Sequence, residues 1–114
     1  MTSHQPTPAV AVAAHRFLDA VGRQYTVRDA YLFGSHARGN ARADSDTDIA
    51  VLLRGESGHR VDEALKMADI AFDVMLETGI LIEAIPFWEG EWDHPERFNN
   101  PALIANIQRE GILL

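Results

Sequence analysis

The sequence contains no cysteine, which excludes a disulfide scaffold, a thiolate metal site and a cysteine nucleophile. It has no apolar run approaching the ~20 residues of a membrane-spanning helix, so no membrane contact is expected. Positive charge is scarce: 10 Lys and Arg stand against 17 Asp and Glu, a net charge of −7. Such a surface repels a phosphate backbone, so direct nucleic-acid binding is not expected either. The opening residues from Met1 to His15 hold no basic n-region. No signal peptide is therefore expected, and the cytoplasm is the expected compartment. There is no internal repeat and no low-complexity stretch.

What is there is ordinary for a globular protein: 46% hydrophobic and 24% charged residues, which argues against disorder. At 114 residues the expectation is one domain, 1–114, with residues 1–7 loose. A chain of this size can bury about two-thirds of its surface, enough for one modest core. A phosphate ligand remains compatible with the acidic balance if backbone N–H groups, a few arginines or a metal ion hold it locally.

Thr7-Pro8 reads as an N-cap followed by proline at the first helical position. It predicts a helix from Pro8 to about Gln24, with Val10, Ala13, Phe17, Leu18 and Val21 on one side. Ala30 to Phe33 reads as a buried strand, Gly34 to Asp46 as a turn, a short helix and a loop, and Asp48 to Leu53 as a second strand. Arg54 to Arg60 is a loop. Asp62 to Glu77 is the clearest helix. Its polar stripe is Asp62, Lys66, Asp69, Asp73 and Glu77, and its expected core stripe is Leu65, Ala68, Phe72 and Met75, widened by Ile70 and Val74. Gly79 stands where a helix-ending glycine belongs. Ile80 to Ile85 is a third strand closed by Pro86; Glu89 to Phe98 is compatible with a short helix; Asn100-Pro101 opens a last helix that Gly111 stops at Glu110. Strands interleaved with helices predict an α+β (α/β) architecture with helices packed on a small sheet.

The chemistry concentrates in Phe33-Gly34-Ser35-His36-Ala37-Arg38-Gly39 and Asp46-Thr47-Asp48. A strand that ends at Gly-Ser and turns into a helix leaves free N–H groups at the positive end of the helix dipole, which suits phosphate oxygens. Gly34 permits close backbone approach, Ser35 adds a hydroxyl, and Arg38 either reaches the phosphate or clamps the loop. Asp46 and Asp48 are two apart at the start of a strand, so both side chains share one face. Two neighbouring carboxylates stay charged together when a cation sits between them, and Mg²⁺ favours such oxygen ligands. Glu83 is the only acid in the third strand. An acid within an apolar run is costly unless paired. It is either a third ligand or base, or a carboxylate that reaches the solvent face.

Gly34-Ser35, then ten residues, then Asp46-x-Asp48 resembles the signature of the minimal nucleotidyltransferase group of the DNA polymerase β superfamily. The longer string GSHARGNARADSDTDIAV is similar to that group's extended pattern. The resemblance implies a small mixed β-sheet flanked by helices, a polymerase β-like nucleotidyltransferase fold. It implies Mg²⁺ and a nucleoside triphosphate, ATP, with Asp46, Asp48 and Glu83 as metal ligands and catalytic carboxylates. Gly34, Ser35 and Arg38 would be the nucleotide contacts. In this family the third carboxylate is typically an Asp, where this sequence has Glu83. Small members are commonly paired with a HEPN-domain partner, a ribonuclease toxin, and act as the antitoxin; some transfer AMP to a tyrosine of that partner. The expected activity is thus Mg²⁺-dependent transfer of AMP from ATP to a hydroxyl of a partner protein. The alternative is a non-catalytic antitoxin that masks its partner. Transfer to a small molecule or an RNA end is weaker, since no acceptor domain is visible. Homo- and hetero-oligomers are both compatible with the sequence.

Blander expectations accompany these. A calcium loop from Asp44, Asp46 and Asp48 fails, because the positions that an EF-hand fills with Gly and Glu hold Ile49 and Gly55. Asp69, Asp73 and Glu77 read as a solvated helix face. His36 reads as a bystander, Arg42 as surface, and His4, His15, His59 and His94 show no metal spacing. Trp88, Trp92, Phe87 and Phe98 read as core, with docking of a partner as the other option.

Overall fold

A computed structural model of the chain describes residues 5–42 and 45–114. The expected looseness of residues 1–7 therefore falls partly outside the described residues, as do His4 and Asp44. The order is α1 (Pro8–Gly22), β1 (Val27–Phe33), α2 (Ser35–Arg38), β2 (Thr47–Leu53), α3 (Arg60–Thr78), β3 (Ile82–Trp88), α4 (Glu89–Asp93), α5 (Pro101–Glu110) and β4 (Ile112–Leu113), with a 3₁₀ turn at Pro95–Arg97.

The sheet is small and mixed, in the order β3-β2-β1-β4. β1 runs antiparallel to β2 and β4, whereas β2 and β3 are parallel. Side chains alternate across it. Ile49, Val51 and Leu53 face α1 and α3, where Phe17, Val21 and Met67 fill the larger core. Ala50 and Leu52 face the other way, against Phe87, Trp92, Ile104 and Ile107. Both faces of β2 are thus covered, which explains its unbroken apolar run.

The caps act as the sequence suggests. Thr7 Oγ1 accepts from the Val10 N–H at 3.3 Å, and Asn100 Oδ1 from the Leu103 N–H at 3.3 Å. Gly79 closes α3 at φ 77°.

Two expectations need correction, and the one for the aromatic residues holds. β3 starts two residues later than Ile80 and continues through Pro86 to Trp88. It is an edge strand, so the proline's missing N–H leaves no ladder bond unmade on the free side. The aromatic residues are core: Phe87, Trp88 and Trp92 are all buried. They pack around Arg60, whose guanidinium lies over Trp88 and Phe98 and pairs with Glu91. Finally, α3 turns Met67, Ala71 and Val74 inward, while Leu65 and Phe72, expected in the core, face outward at 62% and 53% exposure.

Candidate active site

β1 must stop and reverse into α2 within one residue. Gly34 does this with φ 74° and ψ −152°, a region essentially closed to residues with a side chain. The amides of Ala37 and Arg38 both donate to the Gly34 carbonyl at 3.1 Å, winding the single turn of α2. The first amides of that turn have no partner within it. Gly39, at φ 78°, ends it.

Strand register does the rest. Phe33 pairs with Asp48 across β1 and β2, and Asp48 pairs with Glu83 across β2 and β3. Gly34, Asp48 and Glu83 therefore stand in a row at one end of the sheet. The approach is close: a Cβ on Gly34 would lie 3.3 Å from Asp48 Cγ and would overlap Asp48 Oδ2. Thr47, between the two aspartates, points into the opposite layer. It is fully buried and its hydroxyl has no hydrogen-bond partner. Its N–H donates to Leu81 O at 2.9 Å, which begins the β2–β3 pairing and presents Asp46 and Asp48 on the other face.

The carboxylates feel one another. Burial first, and then the charge of Asp46, push the Asp48 carboxyl above its ordinary value; His36, a hydrogen bond with Glu83, and Arg38 offset part of that. Partial burial, the charges of Asp46 and Asp48, and hydrogen bonds with both raise Glu83 as well. Glu83 is exposed to solvent and stands beside Asp48 in register. Three oxygen-donor groups that repel one another fit a hard divalent cation. Among the described residues, no group of three or more His, Cys, Asp or Glu side chains is arranged to hold a metal ion as it stands. Their chemistry, oxygen donors only, is of the type that Mg²⁺ takes, with water and phosphate oxygens to complete its shell.

His36, expected as a bystander, has a partner. Its Nε2 lies 3.1 Å from the Ser45 carbonyl oxygen and donates to it when that nitrogen carries the proton. The contact ties the Gly34-Ser35 turn to the approach to Asp46. Only its place directly after Ser35 hinted at this, and a single histidine carries no spacing. Arg38 is exposed and takes part in none of the ion pairs among the described residues. With Gly34, Phe33 and Asn106 it lines a cavity of about 230 Å³. A larger cavity, about 570 Å³, opens beside Asp46 and is lined by Val10, His36, Arg42, Ser45 and Leu81 among others.

A strand–Gly-Ser–helix turn set against an acidic strand pair, on a small mixed sheet, defines a nucleotidyltransferase-type domain. The chain belongs to the nucleotidyltransferase domain family, which it matches over residues 14–114. Among solved structures it is similar to a presumed minimal nucleotidyltransferase, at 30% identity and a TM-score of 0.59, over 99% of this chain and 100% of that one. It also shares its fold with a presumed nucleotidyltransferase from Sulfolobus solfataricus, at 20% identity and a TM-score of 0.53, over 96% of this chain and 87% of that one. No curated protein matches the chain. No helix among the described residues is long and apolar enough to cross a membrane.

Proposed function

We propose that the chain is a Mg²⁺-dependent enzyme that transfers AMP from ATP to a hydroxyl of a partner protein, and that it serves as the antitoxin of a HEPN-domain toxin. The observation that carries this reading is the contact of Gly34 with the Asp48 carboxylate, in register with Glu83. It brings a strand–Gly-Ser–helix turn against an acidic group, an arrangement that suits polyphosphate chemistry and that simple masking does not need.

In this mechanism the amides of the α2 turn and the Ser35 hydroxyl hold the triphosphate, and Arg38 meets its negative charge from the exposed side of the turn. Asp46, Asp48 and Glu83 are the metal ligands. The cation they hold would supply Lewis-acid activation of the attacking hydroxyl and neutralise charge on the leaving group. The acceptor oxygen forms a bond to the α-phosphorus while the bond to pyrophosphate breaks. Glu83, in register with Asp48, takes the hydroxyl proton or passes it to water. The cavity beside Asp46 has room for the nucleoside, with Arg42 and His36 at its wall.

The test is incubation of the protein with ATP labelled at the α-phosphate, Mg²⁺ and the product of the neighbouring gene, which this reading expects to be a HEPN-domain protein. Label should reach the partner with the wild type and not with Asp46→Asn/Asp48→Asn. The masking alternative draws support from the apolar outward face of α3. It would be favoured if the double variant neutralised the partner as well as the wild type.

A further inference from the structure

Helix α3 has two apolar faces, and only one is used. Met67, Ala71 and Val74 enter the core. Val61, Leu65, Phe72 and Leu76 face outward at 72%, 62%, 53% and 67% exposure, and Ala68 between them is exposed too. Their spacings of 4, 3, 4 and 4 residues form a continuous seam about four turns long, the pattern by which one helix receives another. Large side chains exposed in such a row are not the scattered apolar residues of an ordinary surface.

Beside the seam lies a groove of about 440 Å³, between α3 and the unpaired edge of β3. Ala64, Ala68 and Ala84 keep its floor low, and Phe72 and Leu81 form its walls. Glu83 lines it as well, so the groove reaches the edge-strand residue that pairs with Asp48.

The other flank of the seam is acidic. Asp62, Asp69, Asp73 and Glu77 are all exposed there. Lys66 is the one base among them, and it is paired with Glu63 at 3.5 Å. This rail decides between occupants. Two copies of the chain packed antiparallel along α3 would set acidic rail against acidic rail, with −7 on each molecule. A parallel pair would press the rail of one copy against the sheet edge of the other. Anionic lipid headgroups and nucleic acid are repelled by the same charges.

We propose that this seam and groove dock a partner protein through an amphipathic helix, with its apolar residues along Leu65, Ala68 and Phe72 and its Lys and Arg side chains opposite Asp62, Asp69 and Asp73. A protein held there lies next to Glu83. That it is also the protein whose hydroxyl accepts AMP rests on the transfer reading above; the docking itself does not.

The experiment uses the whole chain and two synthetic amphipathic helical peptides with the same leucine seam, one with lysine flanks and one with glutamate flanks, followed by fluorescence anisotropy without ATP or metal. The lysine peptide should bind saturably and at least about tenfold more tightly than the glutamate peptide, the sum of a few exposed charge pairs. Leu65→Lys/Phe72→Glu should abolish that binding, and Asp69→Lys/Asp73→Lys should reverse the preference. Amide shifts in the wild type should move along the outer face of α3 and along β3. Shifts elsewhere, equal binding of the two peptides, or no saturable binding would overturn the proposal. So would a dimer of the chain that disappears with Leu65→Lys/Phe72→Glu, or capture by anionic vesicles that the same variant relieves. Asp46→Asn/Asp48→Asn should bind the lysine peptide like the wild type, so loss of the transfer activity and loss of docking are separate results.

Discussion

Gly34→Ala concentrates the structural logic of the site in a single methyl group. Gly34 sits at φ 74° and ψ −152°, so any side chain there is strained by roughly 1–3 kcal/mol before it touches anything. The new Cβ would then meet Asp48, 3.3 Å from its Cγ and overlapping its Oδ2, in a position that Asp48 can leave only by turning its carboxylate away from the turn. The two effects together give a loss of about 2–4 kcal/mol, or a fall of roughly 10–20 °C in Tm for a domain of this size. Asp48 would also lose its alignment with Glu83, so Mg²⁺-dependent ATP binding should weaken by more than tenfold even well below the new Tm. Gly22→Ala is the control. Gly22 ends α1, and a Cβ added there would meet nothing within 4 Å, so alanine should leave binding unchanged and raise stability by about 0.4–1 kcal/mol. Thermal melts of both variants, with ATP titrations in Mg²⁺, decide the matter. A Gly34→Ala protein that melts within two or three degrees of the wild type and binds ATP normally would refute the close approach of turn and carboxylate.

Further outcomes follow from the same geometry. Asp48 and Glu83 both have carboxyls raised in the fold, so their contribution to stability is present below the ordinary carboxylate range and is lost as pH rises through the raised values. Melts without metal should therefore show Asp48→Asn gaining on the wild type as pH goes from 4 to 8, and Mg²⁺ should stabilise the wild type increasingly over the same interval; a difference that is flat with pH contradicts this. The Tyr25 hydroxyl is pushed up to about 12 by partial burial and its bond to Glu63, so absorbance titration of a Tyr31→Phe variant should show the remaining phenol ionising near 12, with ordinary titration near 10 as the contrary result. Arg60 donates to Pro86 O at 3.1 Å and to both oxygens of Glu91 while its plane covers Trp88 and Phe98. Arg60→Lys keeps the charge but loses the fork and the stacking, and denaturant unfolding should show a loss of about 1–2 kcal/mol.

Some elements could be read from the chain because local chemistry decided them. The Gly34-Ser35 turn, both Asn- or Thr-Pro helix starts and the strand run from Asp48 to Leu53 are determined by residues adjacent in sequence. Others depend on partners far along the chain. β1 begins at Val27, ahead of the apolar run from Ala30, because Val27 and Asp29 pair with Leu53 and Leu52 of β2. β4 has two residues, too few to show any period, and exists through its pairing with Tyr31 and Leu32. Pro86 ends a strand in an interior position but not at an edge, and edge position is not written locally. α3 is the sharpest case: with one apolar stripe through Leu65 and Phe72 and another through Met67 and Val74, periodicity establishes a helix without saying which side the sheet will cover. For the site, spacing brought Asp46 and Asp48 together on one face. The alignment of Glu83 with Asp48 needed the register of β3, and the tether from His36 to Ser45 needed the path of the loop between them.

The most direct measurement is calorimetric titration of the chain with a non-hydrolysable ATP analogue, with and without Mg²⁺, repeated on Asp46→Asn/Asp48→Asn. A single metal–polyphosphate site built from Gly34, Ser35 and the acids predicts binding that requires Mg²⁺ and disappears in the double variant. Equal binding without the cation, or binding that survives the loss of both aspartates, would contradict it.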